Sequence, residues 1–257
     1  MEVQFGKTSE DYGKHRRGFP PSFFAFLEKE GWEFSSMQVL DLGTGTGTLA
    51  LELAQRGAQV TGIDLAEEQL RVARTRAKEL GLSLGFQGAR AEALPFSEAC
   101  FDAVFAGQCW HWFDGPRAAE ECHRVLKPGG RLVLAHFDWL PLSGRVAAMT
   151  EALILEHNPF WTLGGGNGLH PEHIPGLQKA GFHVLPARHW DEEVLYSHED
   201  WRGRIRASAG VGASLPPERV EAFDREHRRL LADRFPEDPL RIPHRVFVLV
   251  CERGSSA

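Results

Sequence analysis

Cysteine is scarce in this chain, tyrosine scarcer still, and long apolar runs are missing altogether. The 257 residues hold four cysteines, Cys100, Cys109, Cys122 and Cys251, none in Cys-x-x-Cys spacing. That scatter excludes a disulfide framework and the usual zinc modules, and it suits a reducing cytoplasm, the expected location. No apolar stretch approaches the roughly 18 residues that span a bilayer, and the amino terminus, with Lys7, Glu10, Asp11 and Lys14, lacks a signal-peptide core. A membrane partner is therefore not expected. The net charge of -6 and pI near 6.1 argue against a broad basic face for nucleic acid; Arg225, Arg228 and Arg229 read as a solvated helix face. No Gly-x-Ser-x-Gly elbow occurs, which removes the commonest hydrolase reading of an α/β sheet.

What is present is strand-helix alternation. Pro20 to Gly31 reads as a Ser-capped or Pro-started helix, Met37 to Leu42 as a buried strand, and Leu49 to Ala54 as a helix stopping near Gly57. Ala58 to Ile63 is a second strand, and Glu67 to Leu80 carries Leu70, Ala73, Ala77 and Leu80 at helical spacing. Further strands fit 83–87, 103–106 and 131–136. From 137 to 180 the alternation breaks down. Gly164-Gly165-Gly166-Asn167-Gly168 is incompatible with regular structure and is expected as a mobile loop. One long strand over 181–196, helices over 198–208 and 216–234, and a last strand over 246–250 complete the chain.

The most informative stretch is Val39-Leu40-Asp41-Leu42-Gly43-Thr44-Gly45-Thr46-Gly47. A strand entering alternating glycines builds a nucleotide turn, but the dinucleotide pattern wants Gly or Ala at the third position after its second glycine, and here that is Thr48. A carboxylate at Asp41 also opposes a pyrophosphate and suits a cationic ligand. Asp64, 21 residues after Gly43, stands where an acid accepts ribose hydroxyls.

Asp41-x-Gly43-x-Gly45-x-Gly47, Asp64, Ala91-Glu92-Ala93-Leu94-Pro95-Phe96 and Leu126-Lys127-Pro128-Gly129-Gly130 occur in order, and together they resemble a class I S-adenosylmethionine-dependent methyltransferase. The likeness covers about residues 37 to 136. Gln108 followed by His111-Trp112-Phe113-Asp114 is similar to a branch that includes trans-aconitate methyltransferase-like proteins.

The resemblance implies a Rossmann-like α/β fold: a seven-stranded, mostly parallel sheet with the last strand antiparallel, helices on both faces and helical lid insertions. It implies one domain over 1–257, with its core in 32–139, 181–196 and 243–253 and its lid in 140–180 and 197–240. S-adenosylmethionine, leaving as S-adenosylhomocysteine, is the implied cofactor. Its expected contacts are Tyr12, Arg16, Asp41, Gly43, Gly45, Gly47, Asp64, Leu65, Ala91, Glu92 and Gln108. Relatives commonly carry Asp at the place of Arg90, so that adenine acceptor is missing here.

In-line methyl transfer rests mainly on positioning and exclusion of water, so few catalytic groups are obligatory. His111 is the candidate base, with a structural histidine as the equal alternative. Trp110, His111, His136, Trp139 and Trp161 are the candidate acceptor contacts, for which tight core packing is the competing reading. His170 and His173 stand three apart, but Pro171 opens a helix between them and spacing fixes no third ligand, so no metal is expected. The leading expectation is a methyltransferase acting on a small molecule. The alternatives are an enzyme modifying RNA or protein, and a catalytically silent sensor that retains the cofactor fold.

Overall fold

A computed structural model describes residues 18–254. The chain divides into two compact units: one holds 18–136, 170–189 and 246–254, the other 137–169 and 190–245 among the described residues.

The first unit begins with α1 (Pro21–Lys29), started by Pro21, whose missing N–H costs nothing in a first turn. Phe23, Phe24 and Leu27 form its buried side. β1 (Gln38–Leu42) is buried on both faces from Val39 to Leu42, as a strand covered by helices on each side must be, with Asp41 the one charged residue in it. Then come α2 (Thr48–Gln55), β2 (Gln59–Asp64) and α3 (Glu67–Glu79). In α3 the buried Leu70, Ala73 and Ala77 make one stripe, with Glu67 and Glu68 in the first turn and Arg76 and Lys78 in the last, complementing the helix dipole. β3 (Gly85–Gly88), β4 (Phe101–Gly107), α4 (Gly115–Val125) and β5 (Leu126–Trp139) follow. The sequence reading started β5 five residues later; Leu126 already pairs with Phe101, and the Lys127-Pro128-Gly129-Gly130 segment is taken up by a register shift before Ala103 meets Arg131.

The helical unit contains α5 (Val146–His157), and α6 (Ile174–Lys179) with β6 (Phe182–Val184) belong to the sheet unit. β7 (Arg188–Tyr196), α7 (His198–Arg206), α8 (Pro217–Arg234) and β8 (Leu240–Arg253) complete the described chain.

The strands form one sheet in the order β3-β2-β1-β4-β5-β8-β6, with β7 paired to β8. Neighbours from β3 to β5 run parallel, and β6 pairs antiparallel with β8. This is the mostly parallel, helix-flanked sheet expected, with eight strands where seven were anticipated. The extra strand arises at Pro186, which has no N–H for a ladder and divides the single strand foreseen over 181–196 into β6 and β7.

In the helical unit Tyr196, Trp201, Ile205, Phe223 and Leu231 are core residues, with Ile154 of α5 beside them. Ser197 caps α7, its hydroxyl accepting the Asp200 N–H at 3.0 Å. Arg225, Arg228 and Arg229 are exposed on α8. No helix among the described residues is long and apolar enough to cross a membrane.

Candidate functional site

Strand order reverses between β1 and β4, since β2 and β3 lie to one side of β1 and β4 and β5 to the other. In open α/β sheets a ligand crevice forms outside the carboxyl ends at that switch point. The residues there all belong to the sheet unit.

The glycine turn leaves β1 through three left-handed residues, Gly43 (φ 55°), Gly45 (φ 56°) and Gly47 (φ 77°). At Gly43 a Cβ would also stand 2.8 Å from Cys109 Cβ, so the turn lies directly against the second residue past β4. Asp41 is buried and turned toward the start of α2: it accepts the Thr44 hydroxyl at 2.6 Å and the Ala50 N–H. Burial, offset in part by the Thr44 bond and reinforced by the charge of Asp64, raises its pKa to about 7.

Asp64 ends β2 and fastens the turn. One carboxylate oxygen accepts the Gly45 N–H at 2.9 Å, the other the Ala66 N–H at 2.9 Å. The next residue, Leu65, is 67% exposed, unusual for a leucine at a strand end inside the fold. After β3, Arg90 points outward, loosely paired with Glu92 at 3.5 Å. Ala91 is buried, and Glu92 accepts the Asp114 N–H at 3.0 Å, joining this loop to the start of α4. Gln108, one residue past β4, has φ 62° and donates its N–H to Ala135 at 2.9 Å. A left-handed glutamine is a strained arrangement of the kind that gathers at ligand sites.

His111 and Trp112 are exposed on the short 3-10 turn after β4, their rings 4.6 Å apart. Trp110 differs from its expected place as an acceptor wall: it is 3% exposed and packs edge-on against Phe113, because the turn rotates it inward while Trp112 faces out. His136 is buried in β5 with its ring 5.9 Å from that of His111. Trp139 and Trp161 belong to the helical unit, where they pack on its core; Trp139 donates to Glu151 at 2.7 Å and meets Trp201 edge-on. Tyr12 and Arg16 lie outside the described residues.

Spacing had left His170 and His173 without a third partner, and β5 provides one. The His136 and His170 rings stack at 3.7 Å, and one nitrogen from each of His136, His170 and His173 falls within 4.8 Å of the others. Burial holds the His173 pKa below its ordinary value.

Residues 40–134 match the family described as "Methyltransferase domain". An uncharacterized methyltransferase of Mycobacterium tuberculosis is 38% identical over 134 residues, 52% of each chain, so the match spans about half the length of that relative. A ubiquinone biosynthesis O-methyltransferase of Xanthomonas axonopodis pv. citri is 32% identical over 180 residues, 69% of this chain and 73% of the relative. Among solved structures, the YcgJ protein of Bacillus subtilis superposes with a TM-score of 0.59 at 21% identity, over 91% of this chain and 99% of that one. The chain belongs to the class I S-adenosylmethionine-dependent methyltransferase family.

Proposed function

We propose that the chain transfers a methyl group from S-adenosylmethionine to a small-molecule acceptor by in-line displacement, releasing S-adenosylhomocysteine. The observation that carries this reading is the glycine turn fastened by Asp64 at the sheet's switch point, with exposed Leu65 and left-handed Gln108 around it.

These residues fit the cofactor. Each Asp64 oxygen accepts one N–H and keeps a lone pair for a ribose hydroxyl. Leu65 offers an apolar face for the adenine ring, while the Ala91 N–H and the Glu92 carboxylate stand for its polar edge. Gly43, Gly45 and Gly47 admit the methionine portion close to backbone, with Gln108 beneath it, and Tyr12 and Arg16 are assigned to its carboxylate. When bound, the cofactor supplies an electrophilic methyl on a sulfonium. The protein's task is then to align the acceptor and exclude water.

An acceptor hydroxyl, thiol or amine gains from a base, and exposed His111 is assigned that role, with His136 as a contact beside it. The name of the Xanthomonas relative and the likeness of His111-Trp112-Phe113-Asp114 to trans-aconitate methyltransferase-like proteins both support a small acceptor. None of the four cysteines forms a disulfide, which fits a cytoplasmic setting.

Calorimetric titration with S-adenosylmethionine and S-adenosylhomocysteine, followed by a tritiated-methyl screen of metabolite extracts, tests the proposal. Binding with a labelled small acceptor supports it. Product binding without any labelled acceptor indicates a sensor, and absence of binding ends the reading.

A further inference from the structure

We propose that His136, His170 and His173 form a binding site for one divalent transition-metal ion of the zinc type, open on the side of His111 to a ligand atom of the acceptor. The first half of this proposal stands on the geometry alone. The second rests on the methyltransferase reading.

All three histidines belong to the sheet unit. His136 comes from β5; His170 precedes a 3-10 turn, Pro171–His173, which His173 ends. Pro171 sets the turn's first φ, so the two imidazoles are projected together from a short, stiff segment. The His170 and His173 rings are parallel within 2° and 5.8 Å apart, and His136 lies against His170. Phe247 approaches both His136 and His170, giving the cluster an apolar wall.

The donor set has the chemistry of a metal centre. Imidazole nitrogens suit zinc, nickel, copper and cobalt rather than calcium or magnesium, which take oxygen ligands. Nitrogens bound to one tetrahedral ion at about 2.1 Å stand about 3.4 Å apart, each with the ion near its ring plane. The nitrogens here lie within 4.8 Å of one another, so binding requires closure of up to about 1.4 Å and a turn of His170 out of its stack on His136, a movement open to a side chain that is 22% exposed. Glu172 provides the outer carboxylate that metal-binding histidines commonly use: its Oε1 lies 3.2 Å from His170 Nδ1. His173 Nε2 is buried with no hydrogen-bond partner among the described residues, 3.9 Å from Glu172. A buried imidazole nitrogen in that state gains from a ligand.

Three protein ligands leave a coordination position open, the pattern of reactive rather than structural zinc sites. The His111 ring is 5.9 Å from His136, at the face where the acceptor is proposed to bind. An acceptor hydroxyl or thiol bound to the ion loses its proton more readily, and His111 receives it. The bond from acceptor oxygen or sulfur to the methyl carbon forms as the carbon–sulfonium bond breaks, the electron pair staying on the departing thioether sulfur. The substrate class is accordingly a hydroxyl- or thiol-bearing small molecule able to ligate a metal.

The test uses the full chain without a histidine tag, stripped with a chelator and titrated with zinc by calorimetry and with cobalt by visible absorption. One ion per chain and cobalt ligand-field bands are expected. His170→Ala and His173→Ala are each expected to weaken binding by at least tenfold, and Glu172→Gln by about 10- to 100-fold. No ion bound by the native chain, or binding in both histidine variants equal to that of the native chain, overturns the site. Because His136 is buried, His136→Gln is read only alongside a thermal melt, and the partly exposed His170 decides the matter. S-adenosylhomocysteine affinity is measured on the same samples: intact cofactor binding without metal uptake overturns the metal site alone, while metal uptake without cofactor binding overturns the methyltransferase reading alone. Methyl transfer that is unchanged after chelation overturns the acceptor role.

Discussion

Asp64 holds Gly45: the carboxylate at the end of β2 accepts the N–H at the middle of the turn that leaves β1, at 2.9 Å. With its other oxygen on Ala66, the side chain both shapes the turn and, in the proposed function, presents lone pairs to the ribose. Asp64→Ala removes both contributions and is expected to weaken S-adenosylhomocysteine binding by about 1 to 3 kcal/mol, the range for hydrogen bonds to a charged acceptor. Asp64→Asn, which keeps one acceptor oxygen, is expected to fall between. Calorimetry reads both; equal affinity in all three proteins would remove the ribose role.

Asp41 leads to a pH dependence. Its folded pKa of about 7 lies above the ordinary value of 3.8, so between these values the folded chain keeps a proton that the unfolded chain has released. Stability accordingly declines as pH rises from about 4 to about 7, by as much as roughly 4 kcal/mol at full ionisation. In Asp41→Asn that decline disappears while Thr44 keeps an acceptor. Urea melts of both proteins at pH 5 and pH 8 supply the comparison, and parallel curves would mean that Asp41 ionises without cost. A cationic donor favours the carboxylate, so its binding is also expected to release protons in the native protein and not in the variant.

His111 is exposed, so its replacement leaves the core intact. His111→Ala is expected to slow methyl transfer by about 10²- to 10⁴-fold, the contribution typical of a positioned base. S-adenosylhomocysteine affinity should stay within twofold. Parallel loss of turnover and affinity in single-turnover and binding assays would make His111 a support for the turn instead.

The features legible in the sequence were those whose pattern is local. β1, the glycine turn and Asp64 announce themselves because a doubly buried strand is apolar on both faces apart from Asp41, here at Val39, Leu40 and Leu42, and because left-handed backbone demands glycine at Gly43, Gly45 and Gly47. α5 stayed hidden for a physical reason. Its buried residues include Thr150 and Glu151, its exposed ones Leu155, so the apolar spacing is blurred although the burial is helical. The histidine cluster was illegible in another way: His136 and His170 are 34 positions apart, and only β5 and the Pro171 turn bring their rings together. Trp110 and Trp112 show the limit of spacing on a 3-10 turn, where two residues of one type two positions apart end up inside and outside.

The inward-facing polar residues of α5 also make the helical unit sensitive to acid. Trp201 donates its indole N–H to Thr150 Oγ1 at 3.1 Å, which leaves the threonine proton for His227 Nε2, also at 3.1 Å. His227 is thereby held neutral in the core, and burial pushes its pKa down to about 3 from 6.5, despite the opposing charge of Asp224. Between those values the unfolded chain takes up a proton that the folded chain refuses. Stability is therefore complete above about pH 6.5 and is lost progressively as pH falls toward 3, on the order of 4 to 5 kcal/mol in all. His227→Gln gives Thr150 a neutral acceptor that does not titrate. We expect its unfolding free energy to change less between pH 7 and pH 4.5 than that of the native protein, even if its stability at pH 7 is lower. An undiminished slope in the variant would place the acid sensitivity elsewhere, with the carboxylate of Asp224 between Arg202 and Arg206 next to be tested.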